Sequence, residues 1–571
     1  MKNLRNFAII AHVDHGKSTL ADRFLELTDV VSPGKHEEQL LDRNPISRER
    51  GITIKLAPVQ MAYKEFILNL IDTPGHVDFS YEVDRTLSCV EGVILLVDAT
   101  KGIQAQTISN AYKALEKNLT IIPIVNKIDL PHADVEKTKS QMVDFLGVKK
   151  DTIFEISAKT GLHVPELLES ISKKILSPPQ KTEEPLQALI FDSYYDPHRG
   201  VIAFVRIFTG KVKRGDSLLL LQQGVSFDVL ETGIFAPELK ANESLGAGEI
   251  GYIVTNLKDI HKVRVGDTIT VKKSDLPPLP GYKKAQSMVY ASIFTTDTND
   301  YLNLKKALEK LYLNDSSLEF TGIHSKALGA GFRVGFLGLL HADVVRERLE
   351  REHDLSLVLT PPKVEYRKAE KQGEIMEPYV KLLIVTPREY MADVMRLSEQ
   401  HRGVFITMDN KNQITLTYEM PLSEMITDFF DDLKSVSSGF ASLDWEFLEY
   451  RNVSADKMTI LLNEEPIEEF SEVVVAERAY ETASKLVKKL REIIPRQQYE
   501  VKIQARYKGK IIASERLSPF RKDVTQKLYG GDRTRKDKLL KKQKAGKKKM
   551  KLVGRVEIPK EAFLKLFKRS D

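Results

Sequence analysis

The sequence has one cysteine, one tryptophan and no long hydrophobic run. Because Cys89 is alone, the chain cannot form an internal disulfide, and such sparse cysteine use is typical of a reducing compartment. Its apolar surroundings predict a buried side chain rather than a reactive thiol. The longest apolar runs, for example residues 93–97 and 121–125, are far shorter than the ~20 residues that span a bilayer. The amino terminus lacks the features of a signal peptide, so we expect a cytoplasmic protein.

The composition is that of an ordinary globular protein, but its charge is uneven. Hydrophobic residues make up 42% and charged residues 29% of the 571 positions, which argues against wholesale disorder. The net charge is +6, yet residues 502–552 hold 19 Lys and Arg against 4 Asp and Glu. That segment carries +15, so the rest of the chain carries −9. A basic end on a weakly acidic body predicts a polyanionic partner.

The order of strands and helices predicts an α/β and α+β multidomain protein. Alternating strands and helices predict a parallel sheet, short β runs with Gly-Asp turns predict an antiparallel barrel, and two repeats of a split βαβ order follow. In the last unit we expect one helix over residues 473–490 and another that begins at Pro559. The predicted units are an α/β domain at 1–182, a β-barrel at 186–275, ferredoxin-like domains at 285–364 and 376–455, and a basic α+β domain at 460–571.

A phosphate-binding loop is predicted between the first strand and the first helix. Residues 11–19 read Ala-His-Val-Asp-His-Gly-Lys-Ser-Thr, so backbone amides at a helix start can cradle phosphate oxygens. Lys17 would bridge the β and γ phosphates, and Ser18 would ligate Mg²⁺. Ala11 stands where the strict pattern has glycine, and the alternative is a surface turn before a helix. The candidate nucleotide-binding residues here are Asp14, His15, Gly16, Lys17, Ser18 and Thr19.

Three further motifs follow predicted strands, where nucleotide sites of open α/β sheets lie. They are Asp72-Thr73-Pro74-Gly75-His76, Asn126-Lys127-Ile128-Asp129 and Ser157-Ala158-Lys159. The carboxylate of Asp129 can accept hydrogen bonds from N1–H and the 2-amino group of guanine, which adenine does not offer. The amide of Ala158 can meet the guanine carbonyl. The sequence therefore predicts a site for GTP and GDP.

These motifs, with Arg-Gly-Ile-Thr-Ile at residues 50–54, resemble those of translational GTPases. The resemblance implies that residues 1–182 form a P-loop GTPase domain. It implies that Thr53 ligates Mg²⁺, that Asp72 holds this ion through water, and that the Gly75 amide senses the γ-phosphate.

The same resemblance assigns the catalytic role to one histidine. His76 would orient the attacking water, as Gln does in Ras and Gα. Val13 and Ile52 would form an apolar gate that keeps His76 away until a partner docks. The alternative for His76 is a helix-capping or surface histidine. No arginine can be assigned to stabilise the transition state, so we expect slow turnover until ribosomal RNA of the GTPase-activating centre repositions His76.

The remaining motifs narrow the resemblance to the elongation factor 4 (LepA) family. They include residues 327–341, Ala-Leu-Gly-Ala-Gly-Phe-Arg-Val-Gly-Phe-Leu-Gly-Leu-Leu-His, and several segments of the carboxy-terminal region, such as Ile-Pro-Arg-Gln-Gln at 494–498 and Tyr-Gly-Gly-Asp at 529–532. Only about 13 residues, 365–377, separate the two ferredoxin-like units. A translocase that resembles elongation factor G would carry an extra domain there. Residues 44–47, Asn-Pro-Ile-Ser, replace a more acidic stretch of the family pattern and leave the first switch less defined.

The basic tail is the second candidate site. Residues 532–551 hold 11 Lys and Arg among 20 positions, and a basic loop that orders on RNA phosphates is the favoured interpretation. A solvated charge run is the alternative, and contact with anionic lipid is another. The candidate RNA-binding residues are Lys541, Lys542, Lys544, Lys547, Lys548 and Lys549.

The predicted function is that of a ribosome-dependent GTPase with Mg²⁺ as cofactor and the ribosome and tRNA as partners. By resemblance, it would act in translation fidelity under stress, by moving tRNAs one codon backward. The alternatives are another ribosomal GTPase of the BipA type, a nucleotide-switched RNA-binding module in ribosome assembly, and an ATP-dependent kinase or motor, which the Asn126–Asp129 motif disfavours. The family also implies peripheral association with the cytoplasmic face of the membrane. The sequence shows no strong self-association signal, and we expect a monomer.

Overall fold

The amino-terminal unit is built on a six-stranded sheet. The computed structural model describes residues 3–32, 39–42, 44–259, 262–272, 276–281, 286–315, 317–325, 328–368, 374–410, 413–497, 499–520, 537–538 and 540–543. The elements of this unit are β1 (Asn3–Ala11), α1 (Lys17–Leu27), α2 (Pro45–Arg50), β2 (Ala57–Tyr63), β3 (Phe66–Asp72), α3 (Ser80–Leu87), β4 (Gly92–Asp98), α4 (Ala105–Glu116), β5 (Thr120–Asn126), α5 (Val135–Leu146), β6 (Phe154–Glu155) and α6 (Val164–Lys174).

The sheet has the order β2-β3-β1-β4-β5-β6, and every pairing is parallel except that of β2 with β3. Every residue of β4 is buried, as expected for a parallel strand that is covered on both faces. Cys89 is buried, as its surroundings predicted. Because the parallel strands point the same way, the carboxyl ends of β1, β3, β5 and β6 lie at one edge of the sheet, where the predicted nucleotide motifs follow them.

The second unit is a closed antiparallel barrel. Its elements are β7 (Gln187–Asp196), β8 (Gly200–Thr209), β9 (Lys211–Lys213), β10 (Ser217–Leu220), β11 (Val225–Ala236), β12 (Glu238–Asn242), β13 (Ser244–Gly246), β14 (Ile250–Thr255) and β15 (Thr268–Val271). The strand order is β10-β15-β7-β8-β14-β11-β12, and β10 also pairs with β11. That extra pairing closes the sheet and leaves the edge strand β12 outside the closed part.

Two ferredoxin-like units follow. The first contains β16 (Val289–Thr295), α7 (Tyr301–Asn314), β17 (Glu319–Ser325), β18 (Gly329–Phe336), α8 (Leu339–His353), β19 (Leu357–Leu359) and β20 (Lys363–Val364). The second contains β21 (Arg367–Lys368), β22 (Ile375–Thr386), α9 (Met391–Gln400), β23 (Val404–Asn410), β24 (Ile414–Pro421), α10 (Leu422–Glu424), α11 (Phe430–Val436) and β25 (Ser442–Val453). The strand orders β17-β18-β16-β19 and β23-β24-β22-β25 are those of split βαβ folds, as predicted.

The last described sheet has the order β27-β26-β28-β29. Its elements are β26 (Ala455–Leu462), β27 (Glu465–Val475), α12 (Ala479–Ile493), β28 (Val501–Tyr507) and β29 (Lys510–Leu517). The predicted helix over residues 473–490 is wrong at its beginning, because the three valines at 473–475 belong to β27 and pair with β26. Valine is β-branched, and β-branched residues favour a strand that packs on neighbouring strands more than they favour a helix. The predicted helix at Pro559 lies outside the described residues.

In the part of the chain that the structure describes, no helix is both long enough and apolar enough to cross a membrane.

Candidate nucleotide-binding site

The loop between β1 and α1 has the geometry of a phosphate cradle. Gly16 directly precedes α1 with φ of 94°, and a Cβ there would lie 2.5 Å from the side-chain nitrogen of Asn126, so glycine is required. Within the described residues, no side chain caps the first turn of α1, and that turn carries no acidic residue. Its amides and the positive end of the helix dipole are therefore available for an anion.

A pocket of ≈ 320 Å³ opens beside this loop. Its walls come from the phosphate loop, from the first switch, from Gly75 and from Lys127: His12, Val13, Asp14, Gly16, Lys17, Ser18, Thr19, Gln39, Gly51, Ile52, Thr53, Gly75 and Lys127. The structure therefore brings together the predicted phosphate-binding residues and both predicted gate residues, Val13 and Ile52. His15, the neighbour of these residues in sequence, is buried instead, with Nδ1 accepting from the Asp98 amide at 3.2 Å. It can reach a ligand only through its backbone.

Four side chains converge beside the pocket: Lys17, Ser18 and Thr53 line it, and Asp72 is fully buried next to them. Lys17 Nζ donates to Asp72 Oδ1 at 2.7 Å and Oδ2 at 2.8 Å, and to Thr53 Oγ1 at 2.5 Å. Ser18 Oγ lies 3.2 Å from Thr53 Oγ1 and 3.4 Å from Lys17 Nζ. Burial raises the pKa of Asp72 to about 6, although the neighbouring Lys17 lowers it. The carboxylate and hydroxyl oxygens of these residues thus already surround a cation, the Lys17 ammonium.

This donor set fits Mg²⁺. Carboxylate and hydroxyl oxygens are the hard ligands that this ion prefers, and Ser18, Thr53 and Asp72 present them at one point beside the phosphate loop. Asp42, which the sequence did not single out, lies next to them, because its Oδ2 accepts from Thr53 Oγ1 at 3.3 Å. An aspartate ahead of the first switch has no local pattern that would mark it.

The predicted guanine-binding loops are tied to the phosphate loop by Asn126. Its side-chain nitrogen donates to the His15 carbonyl at 2.8 Å, and its side-chain oxygen accepts from the Ala158 amide at 2.9 Å. Lys127 Nζ donates to the Asp14 carbonyl at 2.6 Å and pairs with Asp98 Oδ2 at 2.8 Å. Burial raises the pKa of Asp98, but hydrogen bonds from Lys127 and Thr100 outweigh it and hold that pKa below its usual value. One asparagine therefore links the phosphate loop to the predicted guanine-binding loop at Ala158.

The remaining base-binding candidates lie at the same edge of the sheet. Asp129 is exposed just beyond β5, Ile128 is half-buried, and the Ile128 amide donates to the Ile156 carbonyl at 3.4 Å. Ser157 is buried and its Oγ accepts from the Thr160 amide at 3.1 Å, whereas Lys159 is exposed. Asp129 is open to solvent, as its predicted contact with guanine requires.

His76 lies one residue beyond the pocket wall. Gly75 lines the pocket, but His76 is absent from the described lining. Its Nδ1 accepts from the Asp78 amide at 3.2 Å, so the imidazole caps the short 3-10 turn Val77–Phe79. The helix-capping alternative therefore describes this conformation. The side chain is 25% exposed and is held by this one hydrogen bond and by an edge contact with the Phe79 ring, so the ring can leave this position at low cost.

The first switch contains a helix that the sequence did not predict. Asn44 caps α2 by accepting from the Ile46 amide at 2.9 Å, and Pro45 occupies the first turn. Asn-Pro is a favourable start for a helix, because proline has no amide to satisfy there. Gly51 ends the helix with φ of 65°. The substituted residues 44–47 therefore begin a helix ahead of Thr53.

The first switch and the turn that follows His76 both contact the first ferredoxin-like unit. Asp78 Oδ2 accepts from the Leu340 amide at 2.9 Å and from the His341 amide at 3.3 Å, so it caps α8. A Cβ at Gly338 would collide with this carboxylate. On the other side, Arg50 of α2 pairs with Glu347 of α8 at 2.8 Å. The segment that follows His76 is therefore held by a unit that is distant in sequence.

The candidate RNA-binding lysines fall in two groups. The side chains of Lys541 and Lys542 are exposed. Lys544, Lys547, Lys548 and Lys549 lie outside the described residues.

Family models match most of the chain. "Elongation factor Tu GTP binding domain" matches residues 2–177, "Elongation factor Tu domain 2" matches residues 200–270, "Elongation factor G C-terminus" matches residues 374–461, and "GTP-binding protein LepA C-terminus" matches residues 462–568. A crystal structure of a Thermus thermophilus protein aligns with a TM-score of 0.58 at 17% identity and covers 79% of this chain and 97% of that chain. At that identity the likeness shows the fold alone, and it confirms the predicted multidomain architecture.

Curated relatives named elongation factor 4 are similar over nearly the whole length. The chain is 48% identical to the Aquifex aeolicus protein over 595 residues, with 99% of each chain covered. It is 48% identical to the Mycoplasmopsis agalactiae protein, with 99% of this chain and 98% of that one covered. It is 49% identical to a Streptococcus suis protein, with 99% and 97% covered. Together with the nucleotide pocket, these matches show that the chain is a GTPase and belongs to the elongation factor 4 family.

Proposed function

We propose that this GTPase hydrolyses GTP only when it is docked on the ribosome. The observation that carries the proposal is the convergence of Lys17, Ser18, Thr53 and Asp72 beside an uncapped helix start, with His76 one residue outside the pocket. Binding groups for the phosphates are assembled, whereas the group that would direct water is turned away. Such an arrangement can bind nucleotide but hydrolyses it only after His76 has been repositioned.

Nucleotide binding would change the contacts among the four converging side chains. Lys17 would move from Asp72 to the β and γ phosphates, and Ser18, Thr53 and, through water, Asp72 would hold Mg²⁺. The ion would supply positive charge against the negative charge that builds on the transferred phosphoryl group. Asp129 would accept from the guanine edge, and the amides of the phosphate loop and Gly75 would contact the phosphate oxygens. With GTP in the pocket, the first switch would place Thr53 and Ile52 over the γ-phosphate.

Hydrolysis would require His76 to give up its cap. The bond from the Asp78 amide is a single neutral hydrogen bond, worth about 1 kcal/mol, so a docked partner can displace it. The imidazole would then pass between Val13 and Ile52 and orient the attacking water. We propose that ribosomal RNA of the GTPase-activating centre displaces the imidazole in this way.

The test is GTP hydrolysis by the purified protein with and without ribosomes. We expect ribosomes to raise kcat strongly, because only they reposition His76. The comparison is made on ribosomes halted before and after translocation, with ATP as the nucleotide control. Equal rates with and without ribosomes would overturn the proposal. A preference for one halted state would support the family's implied role, backward movement of tRNAs on mistranslocated ribosomes.

The basic tail is proposed to hold RNA through phosphate contacts. Replacing Lys541, Lys542, Lys547, Lys548 and Lys549 with alanine is expected to weaken binding to ribosomes or tRNA. The magnitude of the slope of log affinity against log salt should fall by up to about 3.5–4.5, because each of the five lost phosphate contacts removes about 0.7–0.9 of counterion release. GTP affinity should not change.

The control for this variant removes the same charge elsewhere. Lys117, Lys149, Lys150, Lys173 and Lys174 are exposed on the amino-terminal unit, and their joint replacement by alanine should leave the salt slope unchanged. An unchanged slope in the tail variant, or an equal change in both variants, would remove the tail from RNA binding.

We also propose a monomeric protein of the cytoplasm, whose tail can attach peripherally to anionic membrane. The five predicted units, 1–182, 186–275, 285–364, 376–455 and 460–571, are proposed as its domains. Separate sheets support this division. The strands β21 and β26 begin at Arg367 and Ala455, before the proposed starts at 376 and 460.

A further inference from the structure

The backbone on both sides of His76 is held by one buried side chain, Gln106. This residue lies in the first turn of α4 and is 6% exposed. Its amide nitrogen lies 2.7 Å from the Gly75 carbonyl and 2.5 Å from His12 Nδ1, and its amide oxygen lies 2.9 Å from the Val77 nitrogen. One amide therefore joins the residue before His76, the residue after it and the phosphate loop.

The orientation of this amide follows from its partners. The Val77 N–H can only donate and the Gly75 carbonyl can only accept, so the Gln106 oxygen faces Val77 and its nitrogen faces Gly75. The nitrogen then donates to His12 Nδ1, which requires neutral His12 with its proton on Nε2. Burial lowers the pKa of His12 to about 4, so this neutral form is present at pH 7.

These contacts divide His76 into a fixed and a movable part. The peptide groups at Gly75 and Val77 are hydrogen-bonded to α4, whereas the imidazole accepts one hydrogen bond, from the Asp78 amide, and makes an edge contact with the Phe79 ring. The ring can therefore rotate about a backbone that stays in place relative to the phosphate loop. A pivot of this kind delivers the ring to one position, and a displacement of about 1 Å at such a site can lower the rate about 10²-fold.

The helix that carries Gln106 is itself tied to the second ferredoxin-like unit. The Ala105 amide donates to Ser442 Oγ of β25 at 2.9 Å in a buried contact. Ser109 of α4 donates to Asp444, the second strand residue after Ser442. A movement of that unit on the ribosome would reach the peptide groups beside His76 through α4.

From this geometry we propose that Gln106 is a positioning residue, which sets where the His76 imidazole arrives when a partner triggers hydrolysis. The inference rests on the proposed role of His76. It adds that the backbone of His76 is aligned by α4 and coupled through Ser442 to the second ferredoxin-like unit. Gln106 would not touch the nucleotide or the attacking water.

The experiment is a double-mutant cycle on ribosome-stimulated GTP hydrolysis by the full-length protein. Gln106→Ala is expected to lower kcat about 10–100-fold while KM for GTP and for ribosomes stays within about twofold. In a His76→Ala background, Gln106→Ala should lower kcat no further, because the two residues act as a unit. Gln106→Met, which keeps the volume but makes no such hydrogen bonds, serves if the alanine variant is unstable. Gln104→Ala, at a buried glutamine that directly precedes the same helix and donates to the Lys101 carbonyl at 3.0 Å, is the control.

The outcomes separate the positioning role of Gln106 from the proposed role of His76. An unchanged kcat in both Gln106 variants, or an equal loss with and without His76, overturns the positioning role while the role of His76 stands. A normal kcat in His76→Ala overturns the proposed function of His76 and this inference with it. A loss in Gln104→Ala that equals the loss in Gln106→Ala would show a general effect on α4 and would also overturn it.

Discussion

Replacing His76 with alanine is expected to lower ribosome-stimulated GTP hydrolysis by about 10²–10⁴-fold, the range that a positioned acid–base or water-orienting group supplies. GTP affinity should stay unchanged, because the pocket walls are formed by other residues and the imidazole accepts from the Asp78 amide instead. Single-turnover hydrolysis on saturating ribosomes measures the first quantity, and equilibrium binding of a fluorescent GTP analogue measures the second.

The control for this variant is His198→Ala, at an exposed histidine in the turn between β7 and β8. It should behave as the unchanged protein does. If His76→Ala hydrolyses GTP on ribosomes at the normal rate, the imidazole serves only as the cap of the turn Val77–Phe79. If GTP affinity falls together with the rate, His76 supports the pocket and does not act on water.

Replacing Asp129 with asparagine is expected to weaken GTP binding by about 10²–10⁴-fold, because a carboxylate accepts two hydrogen bonds from guanine and bonds to a charged group contribute about 1.5–3 kcal/mol each. Asparagine keeps one acceptor and places a donor against the guanine 2-amino group. Xanthine has a carbonyl at that position, so the variant should prefer xanthosine triphosphate. Competition binding with both nucleotides measures the change.

The matched control is Asp134→Asn, which removes the same charge from an exposed position in the same unit. Asp134 caps α5 by accepting from the Lys137 amide at 3.0 Å, and asparagine can keep that cap. This control should retain the preference for GTP. An Asp129→Asn protein that still selects GTP would show that the base is read elsewhere, and the predicted guanine site would be wrong.

The difference between predicted and observed elements has local causes. Only two residues separate the apolar residues 473–476 from helix α12, and a periodic pattern alone does not show where a strand ends and a helix begins. The position of this boundary is set by the pairing of Val475 with Ala455, because the backbone groups of β27 find their hydrogen-bond partners on β26 there. Helix α2 was missed for the opposite reason, since Asn44-Pro45 is a start signal without a long amphipathic pattern behind it.

The sequence by itself determined the nucleotide chemistry and the family. Phosphate and base recognition use short contiguous segments at the ends of strands, and alternating strands and helices force those ends to one edge of a sheet. The roles of Lys17, Asn126 and Asp129 could therefore be predicted from local order, and the resemblance of these and the later motifs indicated the family.

Only the tertiary structure decided how His76 is restrained. Gln106 and Asp78 have no motif that marks them, because their partners come from packing between elements far apart in the chain. Asp78 meets Leu340, 262 residues away, and Ala105 meets Ser442, 337 residues away. Such contacts depend on how separate units dock, which is the sum of many surface interactions and is not encoded in any one segment.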